Sequence, residues 1–131
     1  MSKQQGELDL RQFKDQIAVI TGAGNNGIGW GIAKHAALEL GMHVVLVDLH
    51  MSVVDKACTK LRELAPDRQI VGVQCDVTKI EELEKVAQVV NEEVSGHAIG
   101  MVFANAGVIF NKTILNSPLE DWKTTLDVNV I

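Results

Sequence analysis

No tyrosine occurs anywhere in the 131 residues, only two cysteines are present, and positive charge is in deficit. Twelve lysines and arginines against 17 aspartates and glutamates leave a formal net charge of -5, so there is no basic field to condense on a phosphate backbone or an anionic bilayer. Neither nucleic acid nor a membrane is an expected partner. No apolar run approaches the roughly 20 residues that span a bilayer, and Met1 to Arg11 is polar where a secretion signal would carry an apolar centre. A cytoplasmic location is the expectation. Cys58 and Cys75 lack the paired spacing of zinc or redox motifs, which leaves them as free, mostly buried thiols. His35, His43, His50 and His97 have no cysteine or carboxylate at ligand spacing. No metal site is expected, and the histidines are assigned to the surface or to element boundaries.

What is present is enough apolar material, 47% of the chain, for one core. A polar segment, 1–14, precedes a single domain, 15–131. Within it, short β-branched runs alternate with amphipathic stretches. Gln16 to Thr21, His43 to Asp48, Ile70 to Cys75 and Ile99 to Ala104 read as strands buried on both faces. Between them, Ile28, Ile32, Ala36 and Leu40 recur at helical spacing up to Gly41, as do Val53, Ala57, Leu61 and Leu64 up to Pro66. Leu83, Val86, Ala87, Val90 and Val94 supply the buried face of a third helix. Thr78 with Glu81, and Ser117 with Glu120, fit capping boxes at the starts of the third and fourth helices. Trp122, Leu126 and Val130 continue the fourth. Strands alternating with helices predict an α/β fold, a Rossmann-like doubly wound parallel sheet with helices on both faces. In such folds ligands bind beyond the carboxyl ends of the strands.

The unusual residues fall at those ends. Gly22, Gly24 and Gly27 form a literal G-x-G-x-x-G directly after a strand and at the start of a helix, with Gly29 and Gly31 close behind. Glycines allow a tight turn and close approach of backbone to a pyrophosphate, and the helix start adds free N–H donors. An ordinary strand-to-helix turn needs one glycine, not five. Asp48 ends the second strand, where a carboxylate can accept from both hydroxyls of an adenine ribose. A ribose 2′-phosphate would be repelled there, and Leu49, His50 and Met51 supply no arginine or lysine to receive it. NAD is therefore expected in preference to NADP. The glycine turn alone would also suit a methyl-donor nucleoside.

From about Phe13 onward the residues resemble the short-chain dehydrogenase/reductase family. Thr21, Gly22, Gly27, Ile28 and Gly29 are similar to its TGxxxGIG loop, with four residues, Ala23 to Asn26, where the family pattern has three; Asn25 and Asn26 are counted among the cofactor contacts. Asp76-Val77-Thr78 resembles the family's adenine-side motif. Ala104-Asn105-Ala106-Gly107 is similar to its NNAG segment, with alanine for the first asparagine. Asp127-Val128-Asn129-Val130 resembles its NVxG segment. The resemblance implies strand order 3-2-1-4, an NAD(H) cofactor, an alcohol or carbonyl substrate, and a backbone role for Asn129 in a proton relay. It also implies a catalytic serine, a tyrosine and a lysine four residues after it, all beyond Asn129. With no tyrosine in the chain the catalytic set is incomplete, so the expectation is a truncated, NAD-binding portion of an oxidoreductase. The alternative is a noncatalytic nucleotide-binding module that pairs with full-length relatives. The fourth strand, left without a fifth neighbour, would present an apolar edge that invites self-association or a partner chain, together with the last helix.

Overall fold

The four β-branched runs become four parallel strands, and their order across the sheet is β3-β2-β1-β4. The computed structural model describes residues 6, 8–24 and 26–130. After a 3-10 turn at Leu10–Phe13 come β1 (Ile17–Thr21), α1 (Ile28–Leu38), β2 (His43–Asp48), α2 (Met51–Leu64), β3 (Ile70–Gln74), α3 (Ile80–Glu93), β4 (Ile99–Phe103), a second 3-10 turn at Ile114–Asn116 and α4 (Leu119–Asn129). The register pairs Thr21 with Val47 and Asp48 with Gln74, so the carboxyl ends of β1, β2 and β3 stand level.

Alternation along each strand divides the core in two. Ala18, Ile20, Val44 and Leu46 pack toward Ala33, Ala36 and Ala37 of α1 and Val54, Ala57, Cys58 and Leu61 of α2. Ile17, Val19, Val45 and Val47 point the other way, toward Val86 and Val90 of α3 and Val94 just beyond it. A two-residue side-chain period on a sheet covered on both faces requires this division. Gly72 of β3 lies beneath α2, where a Cβ would collide with Val54 and Cys58. The two cysteines are buried and free, as expected.

The structure departs from the sequence reading at the helix ends and faces. The α3 cap is Lys79, not Thr78. Thr78 turns back instead, donating its hydroxyl to Asp76 Oδ1 at 2.6 Å, while Glu82 rather than Glu81 reaches back to accept the Asp76 N–H. The Thr78 hydroxyl donates to the Asp76 carboxylate rather than accepting from the N–H groups of the helix start, because a bond to a charged acceptor is the stronger one. Likewise α4 begins after Pro118, and Ser117 donates its hydroxyl to the Thr113 carbonyl instead of capping. Ile28 is 77% exposed despite its place in the α1 stripe, and Leu83, Ala87 and Leu64 are also exposed. Trp122, Leu126 and Val130 are exposed as well, and α4 buries no side chain. β4 forms one edge of the sheet with Val102 66% exposed.

His43 stands at an element boundary, first in β2, and is buried there: it is 6% exposed, its Nδ1 accepts the Gln69 N–H at 2.9 Å, and its ring centroid lies 4.2 Å from that of His97. Burial pushes its pKa below the ordinary 6.5, with further lowering from His97 and Arg68 against a small opposing effect of Asp15. A histidine held neutral in the fold is protonated first in the unfolded chain, so the folded state loses stability as pH falls below about 6.5. His43→Asn, whose Oδ1 can replace Nδ1 as acceptor, is expected to flatten that decline; urea midpoints at about pH 8 and about pH 5 measure it. Parallel pH profiles for the two proteins would contradict the assignment.

Candidate functional site

Beyond the carboxyl ends of the strands the chain ties itself together through one side chain. Thr21, last in β1, donates its hydroxyl to the Phe103 carbonyl at 3.3 Å and accepts the Asn105 and Ala106 N–H groups at 3.1 and 3.0 Å. Asn105 returns the contact, its Nδ2 donating to the carbonyls of Thr21 at 3.0 Å and Gly22 at 3.3 Å. The Asn105 N–H also donates to the Phe103 carbonyl at 2.9 Å, so the clasp supplies the partner of the Ala106 N–H and fixes the distance of this backbone from β1.

The glycine loop is shaped around the clasp. Gly22 has φ 67, and a Cβ on it would come 2.8 Å from Ala106 Cα. A Cβ on Gly29 would lie 2.6 Å from both Asn105 Nδ2 and the Gly22 carbonyl oxygen. The first turn of α1 can approach the strand ends only because Gly29 has no side chain. Gly27 differs, since nothing lies within 4 Å of where its Cβ would be. The start of α1 therefore faces open space, and its first N–H groups have no partner within the helix.

Two carboxylates flank this opening. Asp48 is half-buried; its Oδ2 accepts the Gly24 N–H at 3.0 Å and its Oδ1 accepts the Leu49 N–H at 2.8 Å. Each oxygen keeps lone-pair capacity for a further donor. Asp76 Oδ1 accepts from the Thr78 hydroxyl and from the Thr78 N–H at 3.0 Å. Those two bonds, in that order, hold its carboxyl below the ordinary 3.8, and the charge of Lys79 adds to the effect.

Gly22, Ile28, Asp48, Leu49, Asp76, Val77, Asn105, Ala106 and Gly107 come together around one cleft of 450 Å³. Thr21 lies behind its wall as the clasp, and Gly24 and Asn26 border a neighbouring cavity. Asn25 lies outside the described residues. Asn129 is not in the cleft lining. Its side chain makes a two-way bond to the Val108 backbone, Oδ1 accepting and Nδ2 donating at 2.9 Å each, and so fastens α4 to the segment after β4. Sequence reasoning missed Val47, His50, Cys75, Val108 and Val128 in the lining. His50 and Cys75 directly follow or precede named motif residues, which is the signal that could have found them. Burial first, then the charges of Glu82 and Asp76, push the Cys75 thiol up, so it is a poor nucleophile. Among the described residues no group of three potential metal ligands exists, and no helix is long and apolar enough to cross a membrane.

The family described as short chain dehydrogenase matches residues 16–131. The chain belongs to that family. Among its relatives, meso-2,3-butanediol dehydrogenase of Serratia marcescens is 32% identical over 119 residues, covering 91% of this chain and 44% of the relative. A short-chain dehydrogenase/reductase from Burkholderia phymatum, solved in complex with NAD, superposes with a TM-score of 0.78 at 31% identity, over 90% of this chain and 40% of its own. L-sorbose reductase from Gluconobacter frateurii, solved with NADPH and L-sorbose, gives 0.76 at 30% identity, over 90% and 43%. The chain thus spans less than half the length of these relatives. The family setting is that of NAD(P)-binding oxidoreductases, and the strand order observed is the one its resemblance implied.

The clasp has a direct test. Thr21→Val keeps the shape but leaves the half-buried Ala106 N–H without its acceptor and the Asn105 N–H with the Phe103 carbonyl alone, a loss of about 1 kcal/mol. The urea midpoint should fall well below that of Thr21→Ser, which retains the hydroxyl. Equal midpoints for the two variants would remove the clasp from the account.

Proposed function

We propose that this chain binds NAD(H) in the cleft above the strand ends and serves as the cofactor-holding portion of an oxidoreductase for alcohols or carbonyls. The observation that carries the reading is Asp48, which stands at the cleft with both oxygens held by loop N–H groups and with accepting capacity left over. In this reading the loop residues Gly22, Gly24, Asn25, Asn26, Gly27, Ile28 and Gly29 bring backbone N–H donors to the pyrophosphate. Asp48 accepts from the two hydroxyls of the adenine ribose while Leu49 covers it. Asp76 and Val77 meet the adenine, and Asn105, Ala106 and Gly107 border the nicotinamide side. When bound, the nicotinamide supplies the site that accepts or releases hydride; the residues of this chain bind and orient it. The glycine positions fit such a group, since Gly27 opens onto free space where the phosphates would lie.

NAD is preferred over NADP in this proposal on charge. A 2′-phosphate at the ribose would meet the Asp48 carboxylate, and no lysine or arginine is found among the described residues lining the cleft. The relatives leave this choice open, one having been solved with NAD and another with NADPH. The 131 residues contain no tyrosine, so the phenol that the family resemblance assigns as acid and base is not among them. A second reading is that the chain binds a nucleotide without turning over substrate. Asn129 then acts by fastening α4 and the post-β4 segment to the cleft wall.

Calorimetric titration with NADH and NADPH tests the proposal. NADH should bind more tightly than NADPH. Asp48→Asn should weaken NADH by about tenfold or more, as expected for loss of hydrogen bonds to a charged acceptor, and should narrow the gap to NADPH. Binding without dehydrogenase activity would support the noncatalytic reading; no heat with either nucleotide would overturn both.

A further inference from the structure

A second cavity, of 620 Å³, opens between α1 and α2 on the far side of the Gly24 peptide from the cofactor cleft. Its lining includes Trp30 of α1 and Lys56, Thr59 and Lys60 of α2. Trp30 is only 8% exposed and gives the cavity a rigid aromatic wall. The Lys60 ammonium lies 5.7 Å from the Trp30 ring centroid, and the Lys34 ammonium of α1 lies 5.8 Å from the same centroid. Two ammonium groups thus stand at one indole and a third lysine, Lys56, lines the same cavity, in a protein whose net charge is -5.

The electron-rich ring face attracts each ammonium, but the ammonium groups repel one another. Lys56 and Lys60 are also one helical turn apart, a spacing at which like charges are neighbours and destabilise a helix. Asp55 is the one carboxylate in the lining, and the Thr59 hydroxyl is committed to the Asp55 carbonyl at 2.9 Å. The positive charge is thus left in excess, beside an apolar surface made by Trp30, Val53 and Ala57. A multiply charged anion removes the repulsion and completes the arrangement.

We propose that this cavity is a second binding site, separate from the cofactor cleft, for a small phosphorylated molecule. Its phosphate is held by Lys56 and Lys60, and its organic part rests on Trp30. A dianionic phosphate suits clustered ammonium groups better than a single carboxylate does, because the charge-assisted bonds multiply with charge. The site shares Gly24 and Asn26 of the glycine loop with the proposed cofactor site, but none of its charged groups lines the cleft.

Trp30 supplies the readout. The chain has two tryptophans, so Trp122→Phe, on the exposed face of α4, leaves Trp30 as the sole fluorophore. In that background, pyrophosphate titrated at constant ionic strength is expected to change the emission saturably, with half-saturation below about 1 mM. Lys56→Gln with Lys60→Gln should weaken the response by about tenfold or more, with circular dichroism unchanged. An emission that does not respond overturns the proposal. So does a response that survives the double substitution, which would place the anion at the glycine loop, or one that sodium chloride reproduces, which would make it ionic strength alone.

Discussion

The Thr21 hydroxyl holds three backbone groups of the β4 end at once, donating to Phe103 and accepting from Asn105 and Ala106. Parallel pairing aligns β1 with β4 only as far as Ile20 and Phe103; beyond that the two chains diverge, one into the glycine loop and the other into the segment that leads to α4. A side chain at the point of divergence can decide how far apart they go. The clasp sets that separation, and the cleft is the space it leaves. Asn105 extends the same control to α1, because its amide occupies the position that a Cβ on Gly29 would need. Strand ends, loop and helix start are therefore one unit, and the glycines are required where backbone from one part meets backbone or amide from another.

Charge is distributed around that unit in a way that follows from the same geometry. Asp48 orients the loop through the Gly24 N–H and the start of α2 through the Leu49 N–H. Asp76 is satisfied from its own turn by Thr78, which keeps it ionised and leaves the end of β3 open. Both carboxylates are held by backbone geometry rather than by ion pairs buried in the core, so they can face a polar ligand without the desolvation cost of a buried charge. Lys56 and Lys60 line the cavity on the other side of Gly24, beside Trp30. The two cavities thus differ in sign, one acidic and one basic, across a single stretch of loop.

Much of this was legible before any coordinates. Strand positions followed from β-branched runs, because a strand covered on both faces has no polar period to confuse. The glycine loop, Asp48, Asp76 and Asn105 stood out because each breaks a local rule at a strand end. What could not be read were competitions settled by neighbours. Thr78 could accept from the N–H groups of the helix start or donate to Asp76, and the charged acceptor prevailed; Ser117 donates to the neutral Thr113 carbonyl instead. Ile28 obeys the α1 stripe in sequence, but it sits in the first turn, beyond the edge of the sheet, where it borders the cleft instead of the core. His43 opens a strand read as buried, but the partner of its ring was not legible. It is buried because β2 is central and because Gln69, 26 residues later, presents a backbone donor to its ring. Asn129 likewise gave no sign that its amide would pair with Val108 from 21 residues away.

The central claim is that the space defined by the clasp, the glycine loop and the two aspartates receives a nicotinamide dinucleotide. Backbone amide chemical shifts followed by NMR as NADH is added locate binding residue by residue. The account predicts that the largest changes fall on Gly22, Ile28, Gly29, Leu49, Val77 and Ala106, with the amides of α3 and the outer face of α4 unmoved. Shifts concentrated away from these strand ends, or none at saturating nucleotide, would contradict it.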